Sequence, residues 1–523
     1  MKRHSAVWRK VGARVQSAFD FTAATVVRLW SLKPSPMVRA TSALLLLAVL
    51  FTAPRICRGG AFSIPEMGAK ATGMGTAFIA VADDGSALFY NPAGIAFQKG
   101  TYFEMDNTVV VGLFRFTPSS VPQGTVVPSN GYSGIVKPHF IPVAALYFTH
   151  QLSEKYTFGF GMFTPFGLAA NFTNFHDGDP ASSKFVGRYA GSRGRLESYW
   201  FQPTLAYKIT PNSAIAVGPA FVHTHLQIER SFLNPQDDAL TFGRQAASTI
   251  FPGVNQEQAA AVIARLLPEG RARIAATGNA PAVAAGYLYK NAKMKTNFGA
   301  SYRSATNYHL KGAASFAFGN QSYALQSYIG TNFLTNAFPN QSLTGNFVLP
   351  ATYGVGFANS SFFNTTFAAD FRFQDYHRFV SLPLDFGINE KNTKDVAVPA
   401  EQRFVFNFRN GYDLAIGASH PLNSKTEIRV GYLFDHSPVP DMSVGPLFPD
   451  SSRDSFTFGG TRKSGNLDLT FFYEAEFFRD RVTNVAANAN QYTNGDYNNF
   501  AHIFGLSIRL NATEYRAQKK QKH

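Results

Sequence analysis

The chain has 523 residues, of which 45% are hydrophobic, 15% aromatic and only 15% charged, with 51 Phe, 22 Tyr and a formal charge of +15. Soluble domains carry roughly 25% charged residues, so this balance fits a surface that faces lipid on one side and does not fit a nucleic-acid binder. The positive charge is local: residues 1–60 hold ten Lys/Arg against Asp20, residues 511–523 hold four against Glu514, and the body between them is near neutral with 34 basic and 31 acidic residues. A near-neutral body offers little for phosphate contacts.

The first predicted element is the 13-residue apolar run Thr41–Ala53 after Arg39. It is shorter than the ~20 residues of a spanning helix and fits the apolar region of a secretory signal; the competing reading is a buried core helix. Residues 1–60 are therefore expected to be an export segment, with translation starting at Met37 and cleavage near Gly59–Ala61. Cys57, the only cysteine, falls in this segment and lacks the small preceding residues of a lipidation site. A processed chain would contain no disulfide or thiolate metal site, and no metal or cofactor is expected.

Gly73–Ile95 (GMGTAFIAVADDGSALFYNPAGI) is too rich in Gly and Ala for an ordinary core element. Gly73 and Gly75 permit tight turns, Asn91-Pro92-Ala93 carries a turn signal, and Asp83, Asp84 and Asn91 are suited to bonding nearby backbone. Residues 61–100 read as a small plug, or hatch.

Residues 101–511 read as a β-barrel. Phe103, Met105, Val109, Val111 and Leu113 alternate with Glu104, Asp106 and Thr108, and Phe367, Ala369, Phe371 and Phe373 alternate with Asp370, Arg372 and Gln374. Lys425–Phe434, Asn466–Phe477 and Phe504–Leu510 repeat the period of two. A soluble sandwich would need a second sheet over every apolar face, whereas a transmembrane barrel gives that face to lipid and the charges to the lumen. Fourteen strands are predicted, starting near Tyr102, Lys137, Lys155, Ser192, Asn212, Ala282, Lys295, Phe347, Phe362, Phe404, Lys425, Ser455, Asn466 and Asn499. Turns at Leu152–Lys155 and Leu422–Lys425 are short, while Thr117–Val136, Phe172–Gly191, Ser231–Ala280 and Gly312–Asn346 are long. Within the longest loop, Gln256–Leu267 has helical spacing and ends at Pro268 and Gly270; it packs on a neighbouring loop or forms an apolar landing site. Residues 512–523 are a basic tail.

Pro165 and Gly167 interrupt the third strand. Proline removes a ladder donor and glycine tolerates a bend, so unpaired wall backbone is expected there; the alternative is a strand that ends near Thr164. Arg230 ends a strand face with Leu226 and Ile228, where an apolar tail and a carboxylate would both be accommodated. Otherwise it is an arginine at the headgroup boundary. His223 and His225 point the same way without a completing ligand set, so interfacial side chains are expected there. Gly159-Phe160-Gly161 lacks a βαβ context, and neither a nucleophile elbow nor a phosphate loop occurs.

The hatch stretch is followed in order by Gly159–Asn171, Gly187-Arg188-Tyr189-Ala190, Phe201–Ile209, Ile228-Glu229-Arg230, Ser301-Tyr302-Arg303-Ser304, Leu349-Pro350, Ser437–Asp441 and Phe448-Pro449-Asp450. This series, over about 450 residues, resembles the FadL family of outer-membrane channels for long-chain fatty acids and other hydrophobic compounds. The resemblance implies an all-β fold, a 14-stranded antiparallel barrel plugged by the N-terminal hatch, in the outer membrane of a Gram-negative bacterium. It implies passive, ligand-gated uptake and not enzymatic activity, with sideways exit at a kink placed at Phe166-Gly167-Leu168. The family's pocket arginine matches Arg230; its second cation falls at Phe404, with Arg403 on the opposite face, which keeps aromatic and alkane hydrocarbons open as cargo. A structural or adhesive barrel would need neither hatch nor interrupted strand. Expected partners are the hydrophobic ligand, outer-membrane lipid and the barrel-assembly machinery, with the chain a monomer. Amino-terminal sequencing of the mature protein is expected to start near Gly59–Ala61; a start before Ser31 would contradict the export reading.

Overall fold

A computed structural model describes residues 61–119, 134–136, 141–174, 185–233, 253–320, 330–387, 401–484 and 491–513, with residues 240, 242–244, 246–247, 326–327 and 486–487. The export segment and the tail beyond residue 513 lie outside the described residues.

Among the described residues the wall is one closed sheet of fourteen staves. They are β1 (Thr101–Pro118), β2 (Gly134–Val136 and Ile141–Gln151), β3 (Tyr156–Asn174), β4 (Arg193–Thr210), β5 (Ser213–Phe232), β6 (Gly270–Asn291) and β7 (Thr296–Arg303 and Thr306–Phe318). Then follow β8 (Gln341–Leu349 and Thr352–Phe362), β9 (Thr365–Gln374 and Ser381–Phe386), β10 (Glu401–Val405 and Gly411–Asn423), β11 (Thr426–His436), β12 (Arg453–Ser464), β13 (Leu467–Phe478 and Arg481–Thr483) and β14 (Gly495–Asn511). Each is antiparallel to the next, and β14 returns to β1 in continuous register from Tyr102↔Asn511 to Pro118↔Gly495. Closure removes the unpaired edge that hydrocarbon would not tolerate.

The burial pattern is that of a membrane barrel. Glu104, Asp106 and Thr108 of β1 are buried inside, while Phe103 and Met105 between them stand 50% and 49% exposed outside. The same inversion places Asp370 and Arg372 inside and Phe367 and Phe371 outside on β9. An apolar exterior with a charged interior is stable only where lipid surrounds the sheet.

Turns at one end are tight. Phe363 and Asn364 both take left-handed conformations (φ 51° and 52°), and Gly465 does the same at φ 58°, matching the twist of a two-residue hairpin. The opposite end carries the long connections. There Gln256–Leu266 is a helix capped by Asn255, whose side chain accepts from the Glu257 and Gln258 amides. Its Ala260, Ile263 and Ala264 pack with Phe232, Phe242 and Leu334 of neighbouring segments, while Val262 turns outward. The stripe thus covers adjoining loops.

Several features differ from the sequence reading: β8 begins at Gln341, not near Phe347, and β14 begins at Gly495, not near Asn499. Stave β6 begins at Gly270, not Ala282, because its upper half is flanked by Arg271, Arg273 and Asn279 outside and by small residues inside, so no apolar alternation marks it. Staves β7 to β10 are each broken at about one level: Ser304-Ala305, Pro350-Ala351, Asp375–Val380 and Phe406–Asn410. At the breaks on β9 and β10, Phe379, Phe406 and Phe408 turn inward.

Candidate functional site

Residues 61–100 fill the lumen as two short helices (Ala69–Thr72 and Ala87–Tyr90) and a 3-10 turn (Pro92–Phe97). A plug so small cannot build a core of its own, so its polar backbone is satisfied by the wall. Asp370 Oδ2 accepts from the Phe78 and Ile79 amides at 2.6 and 2.8 Å, and Glu104 Oε2 accepts from the Gly85 amide at 2.8 Å. Arg372 donates to the Thr76 carbonyl at 3.0 Å while ion-paired to Asp413 at 2.6 Å. Asn91 donates to the Ile79 carbonyl at 2.8 Å and the Tyr287 carbonyl at 2.9 Å, and its own oxygen accepts from the Ala93 amide.

Gly75 takes φ +62° and a Cβ there would lie 2.6 Å from the Tyr432 amide nitrogen, so both conformation and space demand glycine. Gly73 is ordinary helical backbone; its reason is the nearness of Gly459 on β12, whose Cα would lie 3.3 Å from a Cβ added at Gly73. Asp83 pairs with Lys70 at 2.7 Å. Burial pushes the Asp83 carboxyl up, yet Lys70 and Lys290 hold it down at about 2. Asp84 accepts from the Ser86 amide and hydroxyl. Both acids therefore brace the plug.

The third stave does not end at Thr164. It runs to Asn174 and pairs with β4 from Tyr156 to Asn171, with a register shift between Phe163 and Phe166. Its other side is different. Thr157–Met162 pair with β2, and Phe172–Asn174 pair with Gly134–Val136. Between them, Ile141–Ala145 of β2 pair only with β1, so among the described residues the ladder is open beside Phe163–Asn171. The amino-terminal strand of the hatch fills that opening from inside: Ile64 donates to the Pro165 carbonyl, and Gly167 donates to the Phe62 carbonyl, both at 2.9 Å. Ser63 and Phe166 form the central bridge.

Two cavities meet at this bridge. The one nearer the long loops is lined by Phe62, Leu168, Leu196, Leu226, Ile228, Phe347, Phe379, Leu382, Phe406, Leu447 and Phe448, with Gly194, Arg195 and Gln227. Phe62 packs edge-on against Phe379 at 5.4 Å, Phe347 meets Phe379 at 5.3 Å, and Phe406 meets Phe448 at 5.1 Å. The second borders Ser63, Pro65, Pro165, Phe166, Tyr90 and Arg303. Arg303 donates to the Phe89 carbonyl at 2.6 Å and lies 4.2 Å from the Phe89 ring centre; its Nε has no partner among the described residues.

Residues 51–511 match the model of the outer membrane protein transport protein family (OMPP1/FadL/TodX). The chain belongs to this family. Outer membrane protein P1 of Haemophilus influenzae is 21% identical over 492 residues, covering 88% of this chain and 98% of that protein. A Pseudomonas aeruginosa FadL homologue superposes with a TM-score of 0.65 at 15% identity, over 86% of this chain and all of that one. The Pseudomonas putida toluene transporter TodX gives 0.58 at 16% identity, over 86% and 98% of the two chains. At these identities the structures establish the shared fold. The family is one of outer-membrane transport proteins, not enzymes, and the plugged barrel of this chain is its architecture.

Of the residues singled out in the sequence, Leu226 and Ile228 line the apolar cavity. Arg230 stands on the same inward face one step nearer the loops; it is half-buried, lines neither cavity and has no side-chain partner among the described residues. Glu229 faces outward between Arg193 (3.6 Å) and Arg273 (3.5 Å). Arg403 is exposed outside, and Phe404 is half-buried beside Phe406. His223 and His225 are half-buried on the outer face, and His223 bonds Asn279. The chamber phenylalanines Phe379 and Phe406 were not legible as a site, because a strand was expected from Phe404 and its apolar alternation gave no sign of the break that turns Phe406 inward.

Proposed function

We propose that this barrel takes up hydrophobic molecules passively, with long-chain fatty acids as the first cargo, and releases them sideways at the opening in β3. The observation that carries this reading is the apolar chamber placed directly against the open ladder, with only the Phe62–Ile64 strand between them. An apolar tail entering beside Leu226 and Ile228 replaces water with phenyl and aliphatic surface, worth roughly 25 cal/mol per Å² buried. Arg230, one inward step toward the loops, then meets the carboxylate, and charge-assisted bonds to guanidinium are the strong class. Arg303 supplies a second cation beyond the bridge. Ligand in the chamber competes with Phe62 for its ring contacts, which loosens the short strand that closes the opening. No nucleotide is needed, since cargo moves down its own gradient.

Aromatic hydrocarbons form the second reading. It is favoured by the ring of Phe62, Phe347, Phe379, Phe406 and Phe448 and by family relatives described as a toluene transporter and a monoaromatic hydrocarbon channel. The two readings separate at Arg230. With purified protein, Arg230→Ala is expected to weaken labelled oleate binding by roughly tenfold, the worth of a charged hydrogen bond, and to leave labelled toluene unaffected. Equal oleate binding would remove Arg230 from the headgroup role.

The exit is tested separately. A Cβ on Gly167 would lie 2.6 Å from Ile64 Cδ1, so Gly167→Ile fills the opening. It should lower uptake severalfold while the barrel keeps its heat-modifiable gel mobility; unchanged uptake would count against lateral release.

A further inference from the structure

Away from the bridge, the hatch carries one buried acid that does not simply brace its own backbone. Glu66 faces Glu474 and Glu476 of β13, and one carboxylate oxygen from each lies within 4.8 Å of the others. All three are nearly inaccessible, at 4%, 0% and 4% exposure. Glu476 is shared with Arg453, which also binds Asp435, at 2.8 and 2.7 Å. That guanidinium is already divided between two acids. Among the described residues one oxygen of Glu66 has no partner, and Glu474 has none beyond the Ser455 hydroxyl. The Ser455 hydroxyl is fully buried and lies against Glu474.

Four carboxylates, Glu66, Glu474, Glu476 and Asp435, thus face one guanidinium in a dry site. Buried charges persist only when paired or bound to a metal. Oxygen-only ligands select a hard cation, and calcium, with ligands at about 2.3–2.6 Å and flexible geometry, suits a set of oxygens this widely spaced. Magnesium keeps several waters, for which a closed site has no use.

We propose that Glu66, Glu474 and Glu476, with the Ser455 hydroxyl, hold one calcium ion that fastens the hatch to the barrel wall. The position gives the ion a purpose. Glu66 follows Ile64 by two residues, so the latch fixes the chain immediately after the strand that closes the opening in β3. The residues before it are free to move with ligand, and the residues after it stay seated.

The experiment measures calcium in the full chain refolded in detergent with millimolar calcium and then washed, beside Glu474→Gln and Ser455→Ala. One equivalent should remain in the wild-type protein. Affinity should fall at least about tenfold in both variants, the scale seen when support of a metal ligand is lost. Chelation should lower the wild-type melting temperature and leave that of Glu474→Gln unmoved, since a ligand that binds only the folded state stabilises it. Refolded wild type without calcium overturns the proposal, as does equal calcium in all three proteins; the first outcome means that shared protons alone neutralise the cluster. The wild-type measurement decides the matter even where a variant fails to fold.

Discussion

The structure depends on one constraint: backbone polar groups within a bilayer must find partners in the protein, at several kcal/mol for each that does not. Each of the fourteen inter-stave seams meets it by ordinary pairing over at least part of its length. The seam between β2 and β3 alone is interrupted and bridged by the hatch: Phe163–Asn171, the segment that holds Pro165 and a register shift against β4, pairs with no β2 residue among the described ones. The Pro165 carbonyl and the Gly167 amide are satisfied instead by Ile64 and Phe62. The wall is therefore complete only while the hatch strand is in place, and that dependence couples the lumen to the membrane.

Seating of the hatch follows from the same rule applied inside. Strand positions that face lipid are mainly Phe, Leu, Val and Tyr, and the wall charges at the level of the plug, such as Glu104, Asp370 and Arg372, are directed inward, where the plug meets them. Asp370, Glu104, Arg372 and Asn91 bond hatch backbone, and wall glycines let the plug come close: a Cβ on Gly431 would lie 2.0 Å from the Gly75 amide nitrogen. Polar bonds and steric fit hold the middle of the hatch, while its first residues touch mostly aromatic rings. Phe62 meets Tyr376, Phe379, Phe408 and Phe448 at 5.4 to 6.0 Å. Such contacts are non-directional and a hydrophobic ligand can replace them, which polar bonds would not allow.

Much of this was readable from the sequence wherever membrane physics imposes a period of two. Stave starts near Tyr102, Lys155, Ser192, Asn212, Lys295, Lys425 and Asn466 fall within a residue or two of the observed ones, because lipid-facing side chains must alternate with lumen-facing ones. The rule is silent above the bilayer, which is why the first twelve residues of β6 were read as loop. It is silent as well where backbone leaves the sheet: Phe379, Phe406 and Phe408 belong to breaks, and the strand expected from Phe404 ran straight through the second of them. Pro165 and Gly167 marked the irregular stave, since the chemistry of proline is local. That their free carbonyl and amide would be met by Ile64 and Phe62, a hundred residues away, is a tertiary fact that no local pattern carries. The joining of Glu66 to Glu474 and Glu476 is of the same kind.

The dependence of the wall on the hatch strand is tested most directly by locking the two together. Ser63 and Phe166 are cross-strand partners, a spacing that a disulfide can bridge, and Cys57 is the only native cysteine. In cells carrying Ser63→Cys with Phe166→Cys, uptake of labelled oleate and toluene should be lost under oxidising conditions and restored by reductant, with either single variant insensitive to both. Full uptake by protein shown to be cross-linked would contradict the account.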